Sequence, residues 1–299
     1  MNAITNKKVI VRIMGGLGNQ LFCYAAARRL ASVNNAELVL DDVTGFARDH
    51  HGRQYVLDHF NISARKATPV ERLEPFERYR RGIAKILSRR KTFNQRVYLE
   101  QEMAYFDVRL LNFQVKGTLY MDGLWQSEDY FKDIEQIIQR DLEITPPMDN
   151  LNHEMAREIV NSNAVALHVR WFDAPGSTAY HNVSDEYYQR AIALMESKID
   201  SPRYFLFSDD PVAAIEKLAL PEERVVLVSH NKGDKNAYAD LWLMQKCKYF
   251  IMPRSTFSWW GAWLCHHPNK LVIMPNFTPK GAPVWASMGM IFKGCTQIT

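Results

Sequence analysis

The chain has 299 residues, 47% hydrophobic and 23% charged, with a net charge of +4. At about 150 residues per domain this describes one large or two medium globular domains, excludes a disordered or low-complexity chain, and gives no warrant for nucleic acid as partner. The four cysteines (Cys23, Cys247, Cys265, Cys295) are widely spaced and form no CxxC pair, which excludes a disulfide scaffold or zinc ribbon and reads as buried thiols in a reducing compartment.

The N-terminal MNAITNKKVIVRIMGG shows no secretory-signal pattern, and no apolar run approaches the ~20 residues that span a bilayer. A cytoplasmic protein is the expectation. Residues 8–14 (KVIVRIM) predict a buried strand, broken by Gly15-Gly16-Leu17-Gly18. Residues 19–33 suit a helix and 37–41 (ELVLD) a second strand. Together they make a β-α-β unit with a glycine loop at the first strand's carboxyl end. Residues 46–114 read as irregular and basic. Between Arg65 and Arg96, eleven Lys/Arg face three Glu, an excess of eight in 32 residues. That is either a solvated helical face or a patch for anionic lipid or a phosphorylated acceptor, at ~1 kcal/mol per base near a membrane. Arg80, Arg81, Arg89, Arg90 and Lys91 are its densest part, and the sparse aromatics argue against single-stranded nucleic acid.

Residues 117–121 suit a strand and 127–142 a helix. Pro146 and Pro147 mark a linker, giving domains 1–147 and 148–299. Strands are then expected at 164–169, 204–207, 225–228, 249–252 and 271–274, with helices at 185–197, 211–218, 237–247 and 256–265. Such alternation means a parallel, doubly wound sheet. Two α/β halves facing each other across a cleft is the economical architecture.

Four polar clusters lie at strand ends. In GGLGNQ (15–20), Leu21 stands where a dinucleotide fingerprint needs its third glycine. The loop is either a structural turn or a close backbone approach to an anion. HVRWFD (168–173) ends a buried strand, where parallel sheets bind ligands. Arg170 there can clamp a phosphate while Asp173 orients it, or the two form a plain surface pair. FSDD (207–210) offers one carboxylate as a helix cap and a second for a metal, a guanine edge or a ribose. RSTFSWWGAW (254–263) opens a helix with hydroxyls and amides suited to phosphate oxygens, and its tryptophans read as core. With no D-x-D, HExxH or EF-hand loop elsewhere, no metal is expected.

GGLGNQLF at 15–22, HVRWFD at 168–173, FSDD at 207–210 and ADLWLMQKCKYFIMPRSTFSWWGAWL at 239–264 together resemble the α-1,2-fucosyltransferases of glycosyltransferase family 11, and more distantly the α-1,6- and protein O-fucosyltransferases. The resemblance implies an α/β, GT-B-like fold of two facing Rossmann-like domains, acceptor side first and donor side second. It implies an inverting, metal-free transfer of L-fucose from GDP-fucose to a hydroxyl of a surface glycan, with galactose O2 as the expected position. By motif, Arg170 holds the β-phosphate with His168 beside it. Ser255, Thr256, Phe257 and Ser258 line the donor's phosphates, and Asp209 or Asp210 reads guanine. Gly16, Asn19 and Gln20 belong to the donor-facing loop of the first domain. The catalytic pair is Arg170, stabilising the departing GDP, and a base for which Asp173 and His181 are candidates. Trp171 stands where the family has a second Arg, and Arg254 where it has Asn, so the donor sugar and the linkage stay open. The partners implied are a GDP-sugar and an oligosaccharide or lipid-linked glycan, with peripheral contact to an anionic inner membrane face and no nucleic acid. The alternatives are a same-fold transferase using another GDP-sugar, a catalytically inactive sugar-binding chain, or an NAD-dependent Rossmann module. The last would use Glu37, Asp41 or Asp42 about 20 residues past the loop, and leaves HVRWFD and RSTFSWW without a role.

Overall fold

A computed structural model describes residues 7–102, 106–171, 183–218, 222–276 and 290–298. Two units emerge, the first running to Glu143 and the second starting at Ile144. The first contains β1 (Lys8–Arg12), α1 (Leu17–Asn34), β2 (Glu37–Asp41), β3 (Arg65–Lys66), α2 (Glu77–Arg89), β4 (Tyr98–Glu100), β5 (Thr118–Asp122) and α3 (Glu135–Asp141). Its sheet runs β3-β2-β1-β5-β4 with every pairing parallel.

The second unit contains α4 (Asn150–Val160), β6 (Ala164–Val169), α5 (Asp185–Glu196), β7 (Arg203–Ser208), α6 (Pro211–Leu218), β8 (Val225–Val228), α7 (Ala237–Met244), β9 (Tyr249–Ile251), α8 (Thr256–Leu264), β10 (Leu271–Pro275) and β11 (Thr296–Ile298). Its sheet order is β11-β10-β9-β6-β7-β8, again all parallel. Each unit is thus a Rossmann-like α/β layer structure, the kind of domain from which GT-B chains are built.

Local chemistry explains the elements. All six residues of β6 (AVALHV) are buried, as befits a central parallel strand covered on both faces. In α5, Tyr187, Tyr188, Ala191, Ile192 and Met195 bury one face at helical spacing. Ser184 caps that helix by accepting from the Tyr187 amide, and Asp185 and Glu186 complement its dipole. Gly15 turns the chain from β1 into α1 at φ +74°, a left-handed conformation that side chains rarely adopt.

Three expectations change. Residues 46–114 hold α2 and two short strands besides irregular chain; β3 and β4 are two and three residues long, too short for an alternation to be read. Residues 127–142 form two 3₁₀ turns and then the short α3, because the chain breaks at Phe131 to seat Tyr130 and Phe131 in the core. Phe131 packs there on Phe22, and Tyr130 on Phe106 and Trp125. Among the cysteines, Cys23, Cys247 and Cys265 are buried thiols, whereas Cys295 is only half-buried.

The second unit's core is anchored by α8, where Trp259, Trp260 and Trp263 pack on one another with ring centroids 5.1–6.4 Å apart. Trp260 is fully buried. Its replacement by Ala should cost about 3–5 kcal/mol, read as a lowered denaturant midpoint with an unchanged β-sheet signal before unfolding. A midpoint within error of the parent's would show that the tryptophan cluster does not anchor the core.

Candidate functional site

In the second unit β6 lies between β9 and β7, all three pointing the same way. Their carboxyl ends therefore deliver three of the predicted segments to one edge of one sheet: 168–171 at the end of β6, 208–210 at the end of β7 and 253–258 after β9. Register pairs His168 with Phe207 and Val169 with Ser208, so Arg170 emerges level with Asp209.

Arg170 Nη1 donates to Asp209 Oδ2 at 2.6 Å, and Asp209 Oδ1 accepts from the Trp171 amide at 3.1 Å. The carboxylate thereby grips both the guanidinium and the backbone beyond it. Both side chains are one-third exposed, so the pair sits at a surface and not in the core. Asp210 does separate work. Its Oδ1 accepts from the Ala213 amide at 3.1 Å and caps α6, while its own amide donates to Ser208 Oγ at 3.1 Å. Asp209 is the carboxylate that faces the arginine, and Asp210 is the cap.

After β9, Ser255 Oγ accepts from the Phe257 amide at 3.3 Å and caps α8. Ser258 is buried beneath it, with Oγ 3.5 Å from Ser255 O. Thr256 opens the helix, half-buried. Phe257 presents its ring to the His168 ring at 5.8 Å. This contact ties the loop after β9 to the end of β6. Burial pushes Arg254 below the usual guanidinium range.

His168 is buried with no hydrogen-bond partner for Nδ1 among the described residues. Burial, aided by the Arg170 charge, pushes it down to about 3. Tyr188 donates its hydroxyl to His168 O at 3.1 Å. Its neighbour Tyr187 donates to Met252 O at 2.8 Å, with Ile273 O at 3.1 Å. Two buried tyrosines of α5 thus brace the carboxyl end of β6, the middle of β10 and the residue that follows β9. Sequence reasoning missed them, since within a helix they read only as apolar face. It also missed Asp240 of α7, which burial pushes up to about 7 despite a hydrogen bond from Asn231 at 2.9 Å.

In the first unit Gln20 is buried under the glycine loop. Its Nε2 donates to Gly15 O and Gln54 O at 2.9 and 2.8 Å, and its Oε1 accepts from the Val56 amide at 3.1 Å. Gln20 therefore braces the loop from beneath. Asn19 Oδ1 accepts from Gln126 Nε2 at 2.8 Å. At Gly16 a Cβ would come within 2.9 Å of the Arg53 guanidinium, so the arginine and the loop backbone lie close together. A charged network also ends this sheet, unremarked from sequence although KVIVR, ELVLD and TLYMD all end on a charge. Arg12 donates to Asp122 at 3.1 Å, and Lys85 and Tyr98 also reach Asp122. Burial alone would raise Asp122, but Arg12, Lys85 and Tyr98 hold it below the ordinary carboxylate range. Among the described residues no cluster of three His, Cys, Asp or Glu side chains has metal-site geometry. Asp173 and His181 lie outside the described residues.

The depressed His168 value has a consequence for stability. Between its ordinary 6.5 and about 3, the unfolded chain binds a proton that the folded chain does not, so stability rises with pH. The contribution is complete above 6.5 and is lost as pH falls through that window. His168→Gln should therefore flatten the denaturant-midpoint profile between about pH 6.5 and pH 4; parallel profiles for the two proteins would show that His168 titrates normally.

Comparison with known proteins agrees with this layout. The family model of glycosyl transferase family 11 matches residues 8–284. The O-antigen biosynthesis glycosyltransferase WbnK of Escherichia coli is 28% identical over 282 residues, covering 88% of this chain and 92% of that protein. The alpha-1,2-colitosyltransferase of Escherichia coli is 26% identical over 278 residues, covering 90% and 91%. Among solved structures, NodZ alpha-1,6-fucosyltransferase soaked with GDP-fucose superposes with a TM-score of 0.51 at 16% identity, covering 86% of this chain and 92% of that one. A mutant of Arabidopsis thaliana FUT1 in complex with GDP gives 0.50 at 12%, covering 87% and 68%. These two likenesses concern the fold, a GT-B-like pairing of α/β domains. The family match takes in every strand but β11 and all four polar clusters, and the chain belongs to glycosyltransferase family 11.

Proposed function

We propose that this glycosyltransferase moves L-fucose from GDP-fucose, with inversion, to a hydroxyl of a surface glycan, galactose O2 being the position that fits best. The observation that carries the reading is the delivery of Arg170, Asp209 and the Ser255–Ser258 turn to one edge of the sheet β9-β6-β7.

In this reading the donor's pyrophosphate meets Arg170 and the opening of α8. As the glycosidic bond breaks, negative charge grows on the β-phosphate while the sugar becomes cationic. A guanidinium held by Asp209 and the amides and hydroxyls of Ser255 and Thr256 gain strength as that charge develops, which is how binding energy becomes rate. His168 is held neutral by burial, so it adds no charge to the edge and packs its ring on Phe257. Asp209 is engaged by Arg170 and the Trp171 amide and Asp210 Oδ1 by the start of α6, and one of these two carboxylates serves the guanine or ribose end of the donor. Gly16 and Asn19 contribute loop contacts to the donor, with Gln20 holding the loop's shape. The acceptor's proton goes to Asp173 or, failing that, His181; a dissociative transfer asks only a weak base of either.

A second donor has a specific observation behind it. Similarity to an alpha-1,2-colitosyltransferase, with Trp171 and Arg254 replacing the usual Arg and Asn, favours another GDP-activated deoxy sugar as the rival to GDP-fucose. Protection against thermal unfolding by GDP-fucose, GDP-colitose, GDP-mannose and UDP-sugars, followed by transfer to a galactose-terminated oligosaccharide, separates the two. The proposal expects GDP-fucose to protect and to be consumed. Protection by GDP-colitose without turnover of GDP-fucose would move the assignment to the rival, and protection by UDP-sugars alone would end both.

Arg170→Ala should lower kcat on the order of 10²–10³-fold with its unfolding midpoint preserved, because the side chain is at a surface edge; near-parental turnover by a folded variant removes the role. No metal is assigned a part in the transfer, since cationic side chains and a helix opening do the neutralising. EDTA should therefore leave the rate within about two-fold of the untreated enzyme, an effect too small to reflect a lost charge-stabilising contact. Loss on chelation and recovery with Mg²⁺ or Mn²⁺ would overturn that part.

A further inference from the structure

The helix α2 is built with its polar face inward. Arg81 reaches Thr44 Oγ1 at 2.7 Å and Asp41 at 3.6 Å. Lys85 reaches Glu100 at 2.7 Å and Asp122 at 2.8 Å, and Ser88 accepts from the Tyr98 amide at 3.1 Å. These contacts seat the helix on the first unit through charge and hydrogen bonds. The opposite face is apolar and bare: Tyr79, Ile83, Ile86 and Leu87 are 74, 59, 57 and 51% exposed, and Phe76 just before the helix is 72% exposed. At 100° per residue the four helical side chains fall within an arc of roughly 100°. An amphipathic helix normally buries such a stripe, so its exposure marks a contact surface.

The surrounding charge selects the partner. Every charged residue of 75–91 that is exposed is basic: Arg78, Arg80, Arg89, Arg90 and Lys91. Arg80 leans on the carbonyls of Leu73 and Glu74, and Arg89 on Glu100. Arg78, Arg90 and Lys91 have no carboxylate partner among the described residues. The basic stretch anticipated from sequence therefore divides. Arg65, Lys66, Arg72, Arg81, Lys85 and Arg96 are spent on internal carboxylates, and what faces outward is a stripe of aromatic and aliphatic side chains flanked by cations. A second copy of the chain seated on the stripe would bring like charges together whether the helices crossed parallel or antiparallel. An anionic lipid surface meets both features at once, with apolar side chains entering the acyl boundary and arginines at the headgroups.

We propose that α2 is an interfacial helix that docks this enzyme on an anionic membrane through Phe76, Tyr79, Ile83, Ile86 and Leu87, with Arg78, Arg90 and Lys91 engaging lipid phosphates. This docking does not depend on which sugar is transferred, and a binding assay tests it without activity. The full chain is sedimented with phosphatidylglycerol–phosphatidylcholine vesicles and with pure phosphatidylcholine vesicles, at low and high salt. Wild type is expected to bind the anionic vesicles, less so in high salt, and to bind neutral ones weakly. Arg78→Ser, Arg90→Ser and Lys91→Ser combined should weaken binding about 100-fold, roughly five-fold per engaged base. Ile83→Ser with Ile86→Ser should weaken it at least about ten-fold at either salt concentration. Both variants change exposed side chains and should keep the parental unfolding midpoint; if either does not, the lipid and salt series on wild type still decides. Failure of wild type to bind anionic vesicles, equal binding to neutral ones, or equal binding by both folded variants would overturn the proposal. So would a wild-type dimer in solution that Ile83→Ser with Ile86→Ser converts to monomer.

Discussion

Parallel pairing sets His168 beside Phe207 and Val169 beside Ser208 on one flank of β6, and Leu167 beside Ile251 on the other. All six residues of this strand are buried, and slipping it by one position would turn every side chain to the opposite face. The register is therefore held by the whole core of the second unit. Arg170 is placed by that constraint, one residue past the end of the strand, where Asp209 at the end of β7 meets it. Tyr187 and Tyr188 reinforce the same edge from α5 by donating to carbonyls at the end of β6, just beyond β9 and within β10. A polar edge braced from behind in this way needs little reorganisation when charge develops in front of it, which is the condition for electrostatic catalysis.

The first unit meets a different constraint. Its strands end on Arg12, Asp41 and Asp122, and these charges need partners because they lie at the margin of a core. Thr44, Arg81, Lys85 and Tyr98 supply them. Two of those partners belong to α2, so neutralising the sheet's charged end draws the polar face of that helix inward and turns its apolar face out. The exposed stripe is thus a by-product of where the charges of the sheet lie, available for a surface that water does not compete for.

Much of the fold was legible because parallel α/β units write themselves plainly. The glycine break after KVIVRIM, the apolar run AVALHV and the helix starts at Asp210 and Ser255 each have a local cause that acts in isolation. The site segments were legible for the same reason, since each follows a strand. The division of labour between Asp209 and Asp210 was not, because two adjacent carboxylates look alike until the register says which one faces Arg170. Gln20 shows the same limit: an amide in a glycine loop suggests a ligand contact, and only its three internal hydrogen bonds reveal a brace. The basic stretch was read as a helical face or a lipid patch, but the outward apolar stripe of α2 escaped notice because its pattern is inverted. A basic sequence with apolar residues at helical spacing conventionally places the apolar side in the core, and long-range pairing to Asp41, Glu100 and Asp122 reverses that.

The central claim is that the carboxyl edge of β9-β6-β7 receives the donor's nucleotide and phosphates. Amide hydrogen exchange of the full chain with and without GDP tests this directly, because it reports where the nucleotide slows local opening without requiring the acceptor. The account predicts slowed exchange at residues 169–171, 208–210 and 254–258. Unchanged exchange at all three, with protection confined to the glycine loop at 15–21, would contradict it.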